Sequence, residues 1–415
     1  MKHDVPFPKS VLIGCLAVLL LVFFHRVLLN DHQFAYRDSA HYYYPLYQRV
    51  QSDWNAGRWP LWEAEENAGM PLLGNPTAAV LYPGKLIYAA LPYAWGARIY
   101  ILAHIVLAFA GMAALMRSWR ASWTAAGLSA LAYTFAGPIL FQYCNVIYLV
   151  GAAWLPLGVL AADRWVRLGS RRALLGLAFV LAMQTLGGDP QAAYLLGLCA
   201  CGYSVGVAWT GGRGLAEEPA SARERSRWWI YPLIVVGLAA WVVIALEMAR
   251  YLPGLRPVRP VEKPTPPLPW MRWASLAVAA AWGIGGAAFL VRRRKARRDT
   301  ALERLVFGLA AAAGLAFLLT AAQLLPVVEF TQRTVRAAEE GPHDVYPFSV
   351  EPIRLVELIW PNFFGSYFSG NANWMDLIPL SKMRAKIWAP TLYMGCFVLV
   401  LALRAFSIRR GSAWR

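Results

Sequence analysis

Residues 9–45 read KSVLIGCLAVLLLVFFHRVLLNDHQFAYRDSAHYYYP. The first half, 9–28, is a nearly uninterrupted apolar run, and a helix crosses a bilayer with about 20 such residues. Lys2 and Lys9 precede it, but it ends in His25-Arg26-Val27-Leu28 with no small-x-small cleavage site. The expectation is a retained membrane anchor, not a removed signal peptide. The second half changes character at once and becomes rich in aromatics, with an Arg37-Asp38 pair about ten residues beyond the anchor, estimated from a 20-residue span.

The rest of the chain repeats the first half of that stretch. Of its 415 residues, 58% are hydrophobic and only 15% charged, against about 45–50% and about 25% in an ordinary soluble domain. Disorder, a fibrous chain and a soluble globular enzyme are excluded. Ten apolar stretches are expected to span: roughly 9–28, 99–116, 123–141, 148–162, 173–187, 192–209, 228–246, 270–291, 302–325 and 387–404. Two of them, 148–162 and 173–187, are short and must borrow flanking residues. The run 79–93 is interrupted by Pro83, Gly84 and Pro92 and is expected to be interfacial or re-entrant, not a span. The expected fold class is therefore an all-α polytopic membrane protein, with residues 1–415 forming a single membrane domain.

The net charge is +17. A basic chain can signal nucleic acid, but such binders are rich in charge, and this chain is not; no nucleic-acid partner is expected. Counted from an inside N-terminus, the inner segments hold 22 cations and six acids, and the outer ones 15 cations and 16 acids. The surplus thus follows the positive-inside rule, with RRRKARR at 292–298 as its strongest marker, and with an even number of spans it is expected to place both termini on the inner side.

Two outer segments are too long to be turns: 29–98, and 326–386. Both are rich in aromatics, Pro and Gly, and are expected to be folded. Function concentrates in structured loops of this kind. In the first, Asp38 could serve as a general base towards an acceptor hydroxyl, pair with Arg37, or cap a helix starting at Ser39. His41 and Tyr42 lie three and four residues on and share its helical face. Trp59 and Trp62, in Gly57-Arg-Trp-Pro-Leu-Trp62, are expected to anchor at the interface. Asp189, in Gly187-Gly-Asp-Pro-Gln191, is either the N-cap of the next helix or a functional acid; in the latter case Gln191 and Tyr194 would face the same cavity. Glu329 and Arg333 share a face at the end of the ninth span and either pair or leave Arg333, with Arg336, to meet a phosphate. Residues 352–359 read as a short amphipathic helix halted by Pro361.

The five cysteines and six histidines show no metal-ligand spacing. No cofactor is assigned; the outer acids leave a divalent metal open, without a ligand spacing to mark one.

The ordered set of short motifs resembles the bacterial YfhO-like membrane proteins. It comprises Tyr36-Arg37-Asp38, Trp59-Pro60-Leu61-Trp62, Gly69 to Pro76, Gly188-Asp189-Pro190-Gln191, Gln323-Leu-Leu-Pro326, Pro361-Asn-Phe-Phe-Gly365 and Tyr393-Met-Gly395. The family more often has His in place of Asp189. That family resembles the GT-C glycosyltransferase superfamily. The resemblance implies a GT-C-like fold, a catalytic Asp in the first outer loop, carried onto Asp38 alone, and a polyprenyl-phosphate-linked sugar as donor. Arg37, His41, Tyr42, Asp189, Gln191, Glu329 and Arg333 are then the candidates for binding substrate. The expected acceptor is a cell-envelope glycan or lipid, with membrane lipids around the spans. Members of the family are usually longer, so a form lacking later spans is expected. Two other functions stay open: a lipid or polysaccharide transporter or flippase, and a non-catalytic membrane assembly protein. Transporters favour central ionisable residues and repeats, whereas here the acids gather at the ends of spans.

Overall fold

The computed structural model describes residues 9–65, 69–209, 301–333, 352–361, 363–364, 391–395 and 398–401. The expected spans at 228–246 and 270–291, the Pro-rich segment 247–269, the basic block 292–298, Arg336 and most of the expected span 387–404 lie outside them.

The described chain is helical. Its long helices are α1 (Lys9–Leu29), α4 (Tyr93–Ser118), α5 (Trp123–Thr134), α7 (Val146–Leu168), α8 (Arg171–Leu186), α9 (Pro190–Trp209) and α10 (Ala301–Gln332). Between α1 and α4 lie α2 (Tyr44–Asn55), strands β1 (Trp62–Glu63) and β2 (Met70–Pro71), and α3 (Leu86–Ala90). α6 (Gly137–Leu140) follows α5. Among the described residues, four helices are long and apolar enough to cross a membrane: α1, α4, α7 and α10; α5 with the segment after it makes a fifth if that bent pair counts as one span. The chain is thus a multi-pass helical membrane protein.

Helix boundaries follow local chemistry. Ser122 and Ser170 accept from the amides of Ala125 and Ala173 at 3.1 and 3.3 Å and so start α5 and α8. α7 stops at Gly169, whose φ of 62° is the left-handed turn glycine allows. The short apolar run 148–162 extends at both ends into α7, as a span of that core must. At 123–141 the chain differs from a single straight span. Helix α5 ends before Ala136, which is extended, and the Gly137–Cys144 segment is bent by 54°. Pro138 lacks the amide that would bond the Thr134 carbonyl and its ring crowds that turn, which favours a break there. The break is covered by residues 391–395: the Gly137 amide donates to the Tyr393 carbonyl at 3.0 Å.

Proline also interrupts α7, at Pro156. The carbonyl four residues earlier, on Ala152, consequently loses its helical donor. The Tyr133 hydroxyl of α5 supplies one at 2.8 Å. Gly111 of α4 faces Leu157 and Pro156, where a side chain would stand 3.2 Å from Leu157 Cγ. The missing side chain is what lets α4 approach α7.

Helix α7 is the centre of the bundle and packs on α4, α8 and α9; α10 lies across α8 and α9, and α5 joins α1 to α4. Gly308 of α10 meets the Trp165 indole of α7 at one end of the bundle, and Phe330 of α10 meets Gly74 at the other. Residues 30–65 and 69–92 form a folded layer over that second end. Their buried Tyr43, Leu46, Tyr47, Val50, Leu72, Tyr82 and Tyr88 share one apolar core with Ala97 and Tyr100 of α4, Val146, Ile147 and Val150 of α7, and Ala182, Met183 and Leu186 of α8. The run 79–93 does not span; it forms two short turns of helix, as its prolines require.

Ion pairs close the layer's own hairpin. Arg49 of α2 reaches Glu63 of β1 at 3.1 Å and Asp53 at 3.6 Å, and Arg58 meets Asp53 at 2.8 Å. Both carboxylates are buried, so three guanidinium contacts neutralise what would otherwise be costly charges.

Candidate functional site

Of the site candidates, the Asp38–Tyr42 segment and the Asp189 turn lie at the layered end of the bundle, linked through residues 75–77. Arg37 adopts a left-handed backbone, φ 52°. That turn starts a π-helical segment, Ser39–Tyr43, in an unusual way. The Ser39 amide bonds to the Tyr36 carbonyl, and the Ala40 and His41 amides both bond to the Arg37 carbonyl. Ser39, fully buried, completes the turn: its hydroxyl donates to the carbonyls of Phe34 and Tyr36, and its oxygen receives the Tyr36 amide.

The first amides are therefore satisfied without Asp38. Asp38 occupies the N-cap position but makes no side-chain cap hydrogen bond, nor any ion pair among the described residues. The capping expectation for Asp38 is not realised. The carboxylate is half-buried and close enough to Tyr43 and Cys144 to act electrostatically on both, as Arg37 acts on Cys144. Burial chiefly, with Tyr148, Tyr42 and Asp38 adding to it, raises the Tyr43 phenol well above its ordinary value, so this tyrosine stays neutral.

Tyr42 leads from Asp38 into the layer. Its hydroxyl lies 2.7 Å from Thr77 Oγ1 and accepts from Asn75 Nδ2 at 3.1 Å. Asn75 Oδ1 takes both the Thr77 hydroxyl at 2.6 Å and the Thr77 amide at 3.1 Å. Since Thr77 spends its proton on Asn75, Tyr42 must donate to Thr77. The next link is steric: Gly188 rests against the Pro76 carbonyl and Ile147. A continuous path thus joins the Asp38 segment to the Asp189 turn through residues 75–77.

Asp189 does cap its helix. Oδ1 receives the Ala192 amide at 2.9 Å, and Oδ2 lies against Gly151 of α7, where any side chain would overlap it. Gly151 is held in turn by Gln184, whose amide donates to the Gly151 carbonyl at 2.9 Å. Burial raises the Asp189 carboxyl above the usual carboxylate range, opposed by the Ala192 amide. A raised folded-state value means that the native state binds the proton more tightly than the unfolded one. The cost of burying the charge is then present at neutral pH and is relieved as pH falls into the carboxylate range. Asp189→Asn keeps a cap and discards the charge, so its thermal midpoint in detergent at pH 7 is expected to equal or exceed that of wild type. Asp189→Ala loses the cap and should cost about 1 kcal/mol.

The remaining candidates stand apart. His41 and Gln191 are exposed, as is Tyr194. Glu329 and Arg333 pair with each other at 2.8 Å on an exposed face of α10, the pairing alternative raised by their spacing. The short helix expected at 352–359 is a 3-10 helix, Pro352–Leu358, with Arg354 and Glu357 buried and paired at 2.6 Å. Trp59 and Trp62 are largely exposed, as expected of interfacial anchors. Among the described residues, no group of three or more His, Cys, Asp or Glu side chains could hold a metal ion.

Three residues of the region carried no expectation: Thr77, Lys85 and His104. Asn75-Pro76-Thr77 had a legible signal, since Asn before Pro suits the cap of a short turn. So did Lys85, the lone cation of the apolar run 79–93.

No family model matches the chain, and neither a curated protein nor a solved structure matches it.

Proposed function

We propose that this protein is a membrane glycosyltransferase. It moves a sugar from a polyprenyl-phosphate donor to the hydroxyl of a cell-envelope glycan or lipid, on the outer face of a bacterial inner membrane. The observation that carries the reading is the state of Asp38: a carboxylate on a rigid turn at the layered end of the bundle, relieved of capping by the Arg37 and Tyr36 carbonyls. The chemistry is what the resemblance of the ordered motifs to the YfhO-like proteins implies.

In an inverting reaction, Asp38 accepts the proton of the acceptor hydroxyl as its oxygen attacks the anomeric carbon. The bond from that carbon to the phosphate oxygen breaks, and polyprenyl phosphate leaves. Arg37, adjacent in sequence to Asp38, is the candidate for binding the departing phosphate. The test is a proteoliposome assay with a radiolabelled polyprenyl-phosphate sugar and a membrane extract as acceptor. Transfer of label supports the proposal. Translocation without transfer makes the protein a transporter, and neither makes it an assembly protein.

A further inference from the structure

Between the layer and the bundle end lies a lysine with no polar partner among the described residues. Lys85 closes the short turn Pro83–Lys85, and its side chain is 1% exposed. Its Nζ lies over the Tyr47 ring of α2 and 5.1 Å from the ring centroids of both Tyr88 in α3 and Tyr100 in α4. Nζ has no hydrogen-bond partner among the described residues. The titratable groups around it are Tyr47 from α2, Tyr88 from α3, and Tyr100 and His104 from α4; no acid is among them.

The hydrogen bonds next to Lys85 fix the state of His104. The Tyr100 carbonyl can only accept, so Nδ1 carries a proton and donates to it at 2.7 Å. Nε2 is then bare and accepts from the Tyr82 hydroxyl at 2.7 Å, whose oxygen receives Trp154 Nε1–H of α7 at 2.9 Å. This chain has one polarity and passes through a neutral imidazole. A second proton on His104 would leave the Tyr82 hydroxyl facing two donors. Both basic groups between layer and bundle therefore sit in surroundings built for their uncharged forms.

We propose that seating the layer on the bundle is coupled to the loss of one proton from Lys85, so that the seated layer holds the free amine and a lifted layer the ammonium. An ammonium has three donors; the three ring faces attract its charge but offer no oxygen to accept from it. Enclosing it without one oxygen acceptor is unfavourable, and burial accordingly lowers Lys85 well below its ordinary value. The proton leaves to water on seating and returns from water on lifting. The lifted state binds the extra proton, so rising pH favours seating, about tenfold per pH unit below the usual lysine range. The coupling stands independently of the sugar-transfer reading.

Hydrogen exchange on the full chain in nanodiscs, from pH 7 to 9, tests it. Protection of the amides of residues 44–55 and 86–90, corrected for intrinsic exchange, is expected to rise about tenfold per pH unit. In Lys85→Met, which keeps the stem against the rings, the slope should vanish. A flat wild-type profile means that the ammonium stays in the cage, and an unchanged slope in Lys85→Met puts the proton elsewhere; either overturns the proposal. Acylation of wild-type Lys85, followed by peptide mass spectrometry, gives a second readout that needs no variant. Opening falls with pH as fast as the free-amine fraction grows, so the rate should be flat, whereas a rate rising about tenfold per unit, as for a free lysine peptide, refutes the coupling.

Discussion

Asp38→Asn is expected to lower sugar transfer by 10²-fold or more while leaving the thermal midpoint unchanged. The magnitude is that of a general base removed from its proton, about 10²–10⁴. The unchanged stability follows from the local hydrogen bonds. Had Asp38 capped the helix, losing its carboxylate would cost about 1 kcal/mol. Instead the amides of residues 39–41 are held by backbone carbonyls, and Ser39 does the side-chain work. Ser39→Ala is the contrasting variant: it removes the hydroxyl that binds two carbonyls and an amide, and should lower stability. Full transfer activity in Asp38→Asn would end the base assignment, and a large loss of stability would restore the capping role.

Gly188→Ala is expected to be strongly destabilising. Its φ of +99° lies where a side chain is strained, at about 1–3 kcal/mol. The added carbon would also stand 2.6 Å from Ile147 Cγ2 and 3.0 Å from the Pro76 carbonyl, and overpacking of this kind costs about 1–3 kcal/mol more. The two add because one is a backbone cost and the other a contact cost. Gly197→Ala is the control: it sits in α9 with open space around it and should be neutral or gain up to about 1 kcal/mol. Thermal midpoints of the two variants in the same detergent measure the difference, and equal midpoints would refute the strained turn.

The bundle was legible wherever one physical signal acted alone. Continuous apolar runs marked α1, α4, α7 and α10, and prolines marked 79–93 as a non-span. At 123–141 hydropathy concealed a conformational break, because Pro138 interrupts a helix without making the run polar. The site was legible as residue types and not as roles. Asp38 and Asp189 each stood before a helix and looked alike as caps. Only the carbonyls of Tyr36 and Arg37 distinguish them, and backbone competition of that kind leaves no trace in side-chain spacing. Exposure was equally hidden: His41 and Tyr42 are neighbours, yet only Tyr42 enters the layer, through partners 33 and 35 residues away.

The Tyr133 hydroxyl on the Ala152 carbonyl bears on how the protein is made. A helix entering lipid with an open carbonyl carries a polar group that the hydrocarbon cannot satisfy. Helix α7 has that defect built in by Pro156, and its remedy belongs to α5, which is synthesised first. The two segments are thereby committed to each other at insertion, before α8 to α10 exist. Loss of the Tyr133 hydroxyl would be felt first as slower or less efficient biogenesis, in the yield of protein reaching the membrane.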